Sequence, residues 1–429
     1  MRRELGLLDC FGLGVNGIVG SGIFLLPAVV FRRAGGMSPV AWLTVGLLCV
    51  LVALCFAEAA ASTERSGGPY RYACDAFGPH VGFVVGWVTL TSSVLGYAAV
   101  SRGFAEHAAW LFGRGGLPAL EAAIAAALIV VLAIISIFGI KPSARTSNVV
   151  GAVKIFALVA FVTVGLTRLH PGVFAAAPHP HAGEATGIAA ASFAGLFALT
   201  GFEYVPVPAG ETRDPRRAIG VAMVISVIGA TVLYALIQIV TDGTVADLGE
   251  SKTPVVDAAH AFAGPAFGSA MAAVALLSSF GFCAASALVG PRYVESLAQD
   301  RFLPALLEGR SRRFNTPVAA IVASSALVIA LAMSLDFTSL ADTSVIAIVV
   351  QYVATCASVV VARRRDPHST GFRVPFGYLV PAVAIVGSVL FLFSVAASEL
   401  WLAAGLLGGG LVFGVATRRL RRPAGPSDA

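Results

Sequence analysis

Charge is what this chain has least of. Asp, Glu, Lys and Arg make up 12% of its 429 residues, against roughly a quarter in a soluble domain. A water-soluble globule of this length is excluded, and no polar segment between the apolar runs is long enough to be a soluble domain. Cysteine is scarce too. The six present (Cys10, Cys49, Cys55, Cys74, Cys283 and Cys356) are spaced for neither a disulfide framework nor a metal site. No HExxH pair and no serine–histidine arrangement occurs in the apolar runs, and the seven histidines fall in or near the connections. The sequence therefore argues against an intramembrane enzyme, and no cofactor is expected.

What the chain has is apolar length. Hydrophobic residues make up 57% of it, in runs such as Val40–Ala61, Val81–Ala99, Ala122–Ile140 and Val318–Leu335. About 20 residues at helical rise match the ~30 Å hydrocarbon core of a bilayer. About twelve spans are expected on this criterion, near 10–32, 40–62, 80–105, 118–139, 147–168, 186–209, 218–241, 267–297, 317–335, 339–362, 377–396 and 399–417. The runs are continuous, without the period-two alternation of a membrane barrel. The expected fold class is an all-α polytopic membrane protein.

Lys and Arg set the orientation. With the N-terminus inside, 22 of the 29 basic residues fall on inner segments, six (Arg32, Arg33, Arg102, Arg114, Arg168, Lys252) on outer ones, and Lys154 within a span. The positive-inside rule places both termini in the cytoplasm. The Ala, Gly and Arg usage is compatible with a bacterial plasma membrane. The net charge of +6 reflects topology and gives no sign of nucleic-acid binding. No small-residue cleavage site follows "MRRELGLLDC", so the first run is read as a retained span. The outer stretch "TPVVDAAHAFAG" is expected to form a short interfacial helix.

Two runs are interrupted. The first carries "GIVGSG", with Gly17, Gly20 and Gly22. The sixth carries "SFAGLFALTGFEYVPVPAG", with Gly195 and Gly201 followed by Pro206 and Pro208. Spans one and six correspond if two five-span halves repeat, inverted because five is odd. Interrupted helices at matching positions point to a transporter's central site. Close helix packing is the other use of such glycines. An unwound helix frees backbone groups that only protein or a polar cavity can receive in a membrane. The N–H groups of Ser21, Gly22 and Ile23 would open a half-helix, whose positive end holds a carboxylate. The carbonyls near Phe197–Thr200 could accept from an ammonium group. An amino acid carries both groups.

The segments "NGIVGSGIFLLP", "ERSGGPYRYACDAFGPHVGFVVGW", "FALTGFEYVPVPAGETRDPRRAIGVA" and "PRYVESLAQDRFLP", in that order, resemble the amino acid–polyamine–organocation (APC) transporters. The resemblance implies a LeuT-like fold of two inverted five-helix repeats (1–180 and 181–365). Two further helices and a cytoplasmic tail (366–429) follow, and substrate lies between spans 1, 3, 6, 8 and 10. It assigns Ile18, Ser21 and Gly22 to substrate-backbone contacts, Phe197 to the aromatic cap over the substrate, and Thr200 and Gly201 to the span-six break. Thr89, Ser93 and Tyr97 share one face of span three and either line the pocket or bond between helices.

Lys154 lies about 9 Å into the bilayer from Asn148 at helical rise. It either snorkels to the interface or, as the resemblance implies, stands where sodium-coupled relatives bind sodium. There it could load and release a proton. Ser279 is its expected span-eight partner, with Ser278 and Ser286 as competitors; Phe280-Gly281 stands close to where relatives often place Ser or Thr. Glu203 is either a proton-sensitive inner-gate residue or a brace paired with Arg217 or Arg292. Glu58 is read as structural. Asp214 is placed at an N-cap with Pro215 at N1, and the loop arginines either pair with Glu211 or Asp300 or fix topology.

The expectation is a sodium-independent amino acid transporter, proton-coupled and selective for neutral side chains, working by alternating access as a monomer or homodimer in the lipid bilayer. An exchanger, an exporter, or a carrier of cationic amino acids or polyamines is the same-fold alternative. A channel is the remaining rival, disfavoured because two broken helices converge on a discrete site.

Overall fold

Proline and glycine decide where the apolar runs become helices. In the computed structural model, residues 6–62, 68–139, 144–169, 177–180, 185–206, 212, 214–311, 313–366, 372–395 and 397–420 are described. The architecture is all-helical. The elements are α1 (Leu7–Ile18), α2 (Gly22–Ala34), α3 (Ser38–Ser62), α4 (Gly68–Phe77), α5 (Pro79–Leu111), α6 (Pro118–Ile137), α7 (Ala144–Gly165) and α8 (Ile188–Leu199). They continue with α9 (Pro215–Thr244), α10 (Pro254–Ala263), α11 (Pro265–Gln299), α12 (Val318–Ser334), α13 (Phe337–Arg365), α14 (Leu379–Leu392) and α15 (Ala397–Leu420). Five of them open on proline, whose fixed φ suits the first helical turn and whose missing N–H is not needed there. Asp214 does precede Pro215, but its side chain makes no capping bond. Gly210, Glu211 and Arg213 of that loop lie outside the described residues.

Among the described residues, eight helical stretches are long and apolar enough to cross a membrane, and Leu7–Ile18, Ile188–Tyr204, Val318–Ser334 and Leu379–Leu392 are shorter apolar helices. The chain is a polytopic membrane protein. Two of the short pieces, Leu7–Ile18 and Ile188–Tyr204, border the breaks that the glycines foretold. The stretch expected to form a short helix does so as α10, whose Val255, Val256, Ala258 and Ala259 are fully buried. The outward faces of α6 and α7 are apolar, with Val131, Ile134, Val153 and Phe156 exposed, as a lipid-facing surface requires.

Around the breaks, α1 packs on α9 and α7, α2 on α8, α3 along α9, and α5 against α11 and α13. α11 runs from α10 at its start to a contact with α4 at its end, where Tyr70 donates to Asp300. The molecule thus has an α10 face and an α4 face, and the helix breaks lie between them.

Candidate functional site

The break in the first run covers Val19, Gly20 and Ser21, between the end of α1 and the start of α2. Its carbonyls are received by side chains from three other helices. Tyr234 of α9 donates to the Ile18 carbonyl at 3.1 Å. Lys154 Nζ of α7 donates to Val19 O at 3.1 Å. Ser278 Oγ of α11 reaches Val19 O at 2.7 Å and Gly20 O at 3.1 Å. The Ile18 carbonyl also accepts from the Gly20 N–H at 2.9 Å, but without these side chains the Val19 and Gly20 carbonyls would be unpaired and buried, a loss of about 1–3 kcal/mol each. The N–H groups of Ser21, Gly22 and Ile23 are treated differently. Among the described residues none has an acceptor, and the buried Ser21 Oγ has no partner either. One end of the break is saturated and the other is left with donors.

The second break shows the complementary pattern. α8 stops at Leu199, Gly201 adopts φ 108°, and a short 3-10 turn covers Phe202–Tyr204. The Phe197 carbonyl is occupied, because the Thr200 N–H and Thr200 Oγ (2.7 Å) both donate to it. The carbonyls of Ala198, Leu199 and Thr200 have no donor among the described residues. The expected acceptor set therefore narrows by one residue, from 197–200 to 198–200.

The two breaks meet through bare backbone. A Cβ added to Gly17 would lie 2.6 Å from the Gly201 carbonyl oxygen, and one on Gly201 would meet the Gly17 carbonyl at once. A Cβ on Gly22 would fall 2.8 Å from the Ala198 Cβ. The start of α2 and the end of α8 are thus packed together at Gly22 and Ala198, beside the backbone contact of Gly17 with Gly201.

The other sequence candidates are dispersed around this point. Lys154 is completely buried and reaches the break rather than the interface, its Nζ held by Val19 O and by the Ser278 carbonyl at 3.3 Å. The snorkelling alternative does not apply. Ser279 is a correction, since its hydroxyl bonds to Ala275 of its own helix. The contact comes from Ser278, one residue and about 100° away on the helix. Near Gly281 the backbone itself packs toward Lys154, and an added Cβ would sit 3.4 Å from Nζ. Phe197 is buried and meets Phe337 edge-on at 5.8 Å. Thr89 turns back to Val85 O, whereas Ser93 lines a water-sized gap with Tyr97 and Ser286.

Glu203 has no ion-pair partner among the described residues, and Arg217 and Arg292 are exposed away from it. Its carboxylate accepts from the Gly201 N–H at 2.8 Å, which fixes the left-handed turn of the break. The brace reading fails and a local cap replaces it.

The sequence that folds this way has counterparts among known proteins. The amino acid permease family model matches residues 5–403. The chain belongs to the amino acid permease family. It is a family of transporters, not of enzymes, within the APC superfamily. The permease is 27% identical to the serine/threonine exchanger SteT of Bacillus subtilis, with 98% of each chain covered. It is 25% identical to the methylthioribose transporter of the same organism, over 95% of this chain and 92% of that one. It is 26% identical to the vacuolar cationic amino acid transporter 4 of Arabidopsis thaliana, over 86% of this chain and 64% of the plant protein. The chain spans somewhat under two thirds of the length of that plant carrier.

Sequence reasoning missed several polar features of the permease. Arg33, counted only as an outer charge, is buried and pairs with Asp342 of α13 at 3.0 Å. It also donates to the Ala190 carbonyl. Asp342 sits in the expected tenth span, and an ionisable residue inside a span was signal enough to find it. His107 is not in a connection either: it is fully buried in α5, with Nδ1 2.7 Å from Gly103 O. On the α4 face, Glu58 joins Arg363 in a two-pronged ion pair at 2.5 and 2.6 Å and accepts from the Val374 N–H at 2.7 Å. Glu58 and Arg363 line a cavity of about 280 Å³ between α3, α4 and α13. Burial first, and the bond to Asp300 second, push the Tyr70 phenol above its ordinary value, so it remains a donor.

Proposed function

We propose that this permease is a sodium-independent secondary carrier of amino acids that works by alternating access, with the substrate held between the two helix breaks. The observation that carries the reading is the complementarity of those breaks. Free N–H groups at Ser21, Gly22 and Ile23 suit a carboxylate, and free carbonyls at Ala198, Leu199 and Thr200 suit an ammonium, beside a Gly17–Gly201 contact in which bare backbone meets bare backbone. Ile18 and Gly201 frame the site, Phe197 caps it, and Thr89 and Ser93 border it on α5. Lys154 supplies a positive charge beside the Val19 carbonyl, where a cation is needed to hold the break, and is the group we assign to proton coupling. Ser278 takes the partner role once given to Ser279, and Glu203 fixes the turn.

In this reading the eight long stretches and the shorter apolar helices make twelve spans, with α1–α2 and α8 as the broken first and sixth of two inverted five-span repeats. The α4 face is cytoplasmic, the α10 face is outside, and the membrane is a bacterial plasma membrane. Neutral side chains are favoured. Asp342 is neutralised by Arg33 and Glu203 is turned to Gly201, so neither carboxylate is open to a cationic substrate, and a buried charge without a partner is costly.

A second reading, obligate exchange, has one observation in its favour: the full-length similarity to an exchanger. The experiment is uptake of a labelled amino-acid panel by purified protein in liposomes, with and without an inward proton gradient, for wild type and Lys154→Ala. Proton coupling predicts stimulation by the gradient that falls about tenfold or more in the variant, the scale of losing hydrogen bonds to a charged group. Uptake that ignores the gradient and requires amino acid inside favours exchange. Absence of saturable uptake of any amino acid overturns both.

A further inference from the structure

A second buried acid lies on the α10 side, away from Lys154. Asp242, on the last turn of α9, has no solvent exposure, and neither do its neighbours Ser38, Trp42 and Gln238. The hydrogen bonds among them have a direction that can be worked out. The Trp42 indole can only donate, and its Nε1 lies 2.7 Å from Gln238 Oε1. The Gln238 amide is thereby oriented, with its NH2 group pointing away from the indole. That group donates to the Pro27 carbonyl of α2 at 3.1 Å and to Asp242 Oδ1 at 2.6 Å. Oδ1 therefore accepts, whatever the protonation state. Oδ2 faces Ser38 Oγ at 2.5 Å. A hydroxyl both donates and accepts, so Ser38 is the one group in the network that can reverse. With Asp242 ionised, Ser38 donates to Oδ2; with Asp242 protonated, Oδ2 donates to Ser38. Both states keep the same heavy-atom positions.

Among the described residues, nothing nearby neutralises an ionised Asp242, and it has no ion-pair partner. Of the charged groups on the surrounding elements, Arg32 of α2 is directed to the Gly249 carbonyl and Arg33 to Asp342. Asp257 of α10 bonds with Ser251 and Thr253, His260 is exposed, and Arg168, beyond the end of α7, is exposed as well. Removing a carboxylate from water without a cation costs far more than burying the neutral acid. Two accepted hydrogen bonds offset only part of that cost.

We propose that Asp242 is a proton-binding site, neutral in this conformation, with its proton on Oδ2 and donated to Ser38. The site is separate from Lys154 and wired through Gln238 to the carbonyl of Pro27, inside the half-helix that begins at the first break. A proton there sits at one end of a fixed hydrogen-bond chain whose other end holds α2. The inference concerns a second group and does not depend on amino acid transport.

The test is infrared spectroscopy of the purified full-length protein in lipid, comparing wild type with Asp242→Asn, Ser38→Ala and Lys154→Ala. The expected wild-type spectrum contains a protonated-carboxyl C=O band that is lost in Asp242→Asn and retained in Lys154→Ala. Asparagine mimics the neutral acid, accepting from Gln238 and donating to Ser38. Ser38→Ala serves where the first variant fails to fold: removing the acceptor of the acid hydroxyl shifts the same band to higher frequency. A wild-type-minus-Asp242→Asn difference that contains only carboxylate bands overturns the proposal, as does a protonated-carboxyl band that Ser38→Ala leaves in place. Either result stands whether or not the liposome experiment finds amino acid uptake.

Discussion

The α10 face and the α4 face are both held by ion pairs, but of different kinds. On the α10 face Arg33 and Asp342 are 7% and 2% exposed, and the Ala190 carbonyl completes the arginine's shell. On the α4 face Glu58 and Arg363 are nearly as buried, at 10% and 9%, but Arg310 is 50% exposed where it meets Glu295. Desolvation makes the difference. A buried pair costs much to form and much to break, because the surviving partner is left charged in a dry place. A rim pair exchanges its partner for water at little cost. The contrast is therefore between the Arg33–Asp342 pair, which pins α2 to α13 in a dry place, and the Arg310–Glu295 pair at the water's edge.

Three substitutions would break or sharpen this contrast. The largest effect belongs to Arg33→Ala, which strands Asp342 and is expected to cost about 3–5 kcal/mol, read as a fall in thermal or denaturant midpoint in detergent. The paired replacement Arg33→Met with Asp342→Leu should recover most of that loss, since removing both charges leaves neither stranded. If the single and double variants are equally impaired, the pair is not the clamp described here. Glu58→Gln comes next. It removes a two-pronged pair and weakens the bond from the Val374 N–H, for about 1.5–3 kcal/mol, and should loosen the 372–374 segment in hydrogen exchange. Arg310→Ala is the smallest, about 0–1 kcal/mol and fading with added salt because the guanidinium is half in water. A salt-independent loss of several kcal/mol there would erase the distinction between the two pairs.

Much of this was legible from residue types. Glycine clusters gave both helix breaks, proline gave helix starts, and Lys154 stood out because a lysine inside an apolar run needs a reason. What was not legible is direction around a helix axis. Ser278 and Ser279 are equivalent in a string of letters, yet only one points at Val19, and the choice depends on how α11 is rotated against the break. The same holds for Phe197, whose carbonyl looked available until Thr200 folded back onto it. Asp342 and Arg33 lie 309 residues apart, and no local pattern links them. Glu203 reads in sequence as either a proton-sensitive gate residue or a brace to a distant arginine; what its carboxylate holds is a backbone N–H two residues away.

The Gly17–Gly201 contact has a consequence for inheritance. Each residue faces the other's carbonyl with no atom to spare, and every missense change at a glycine codon adds at least a Cβ. Neither codon can change first without driving a side chain into the opposite main chain, and a compensating change on the other side only adds a second. Gly20 is freer, since an added Cβ would meet the Phe282 ring at an ordinary 3.6 Å. Of the two glycine clusters that mark the breaks, this pair is bound together as a single unit of descent, although 184 positions separate its members.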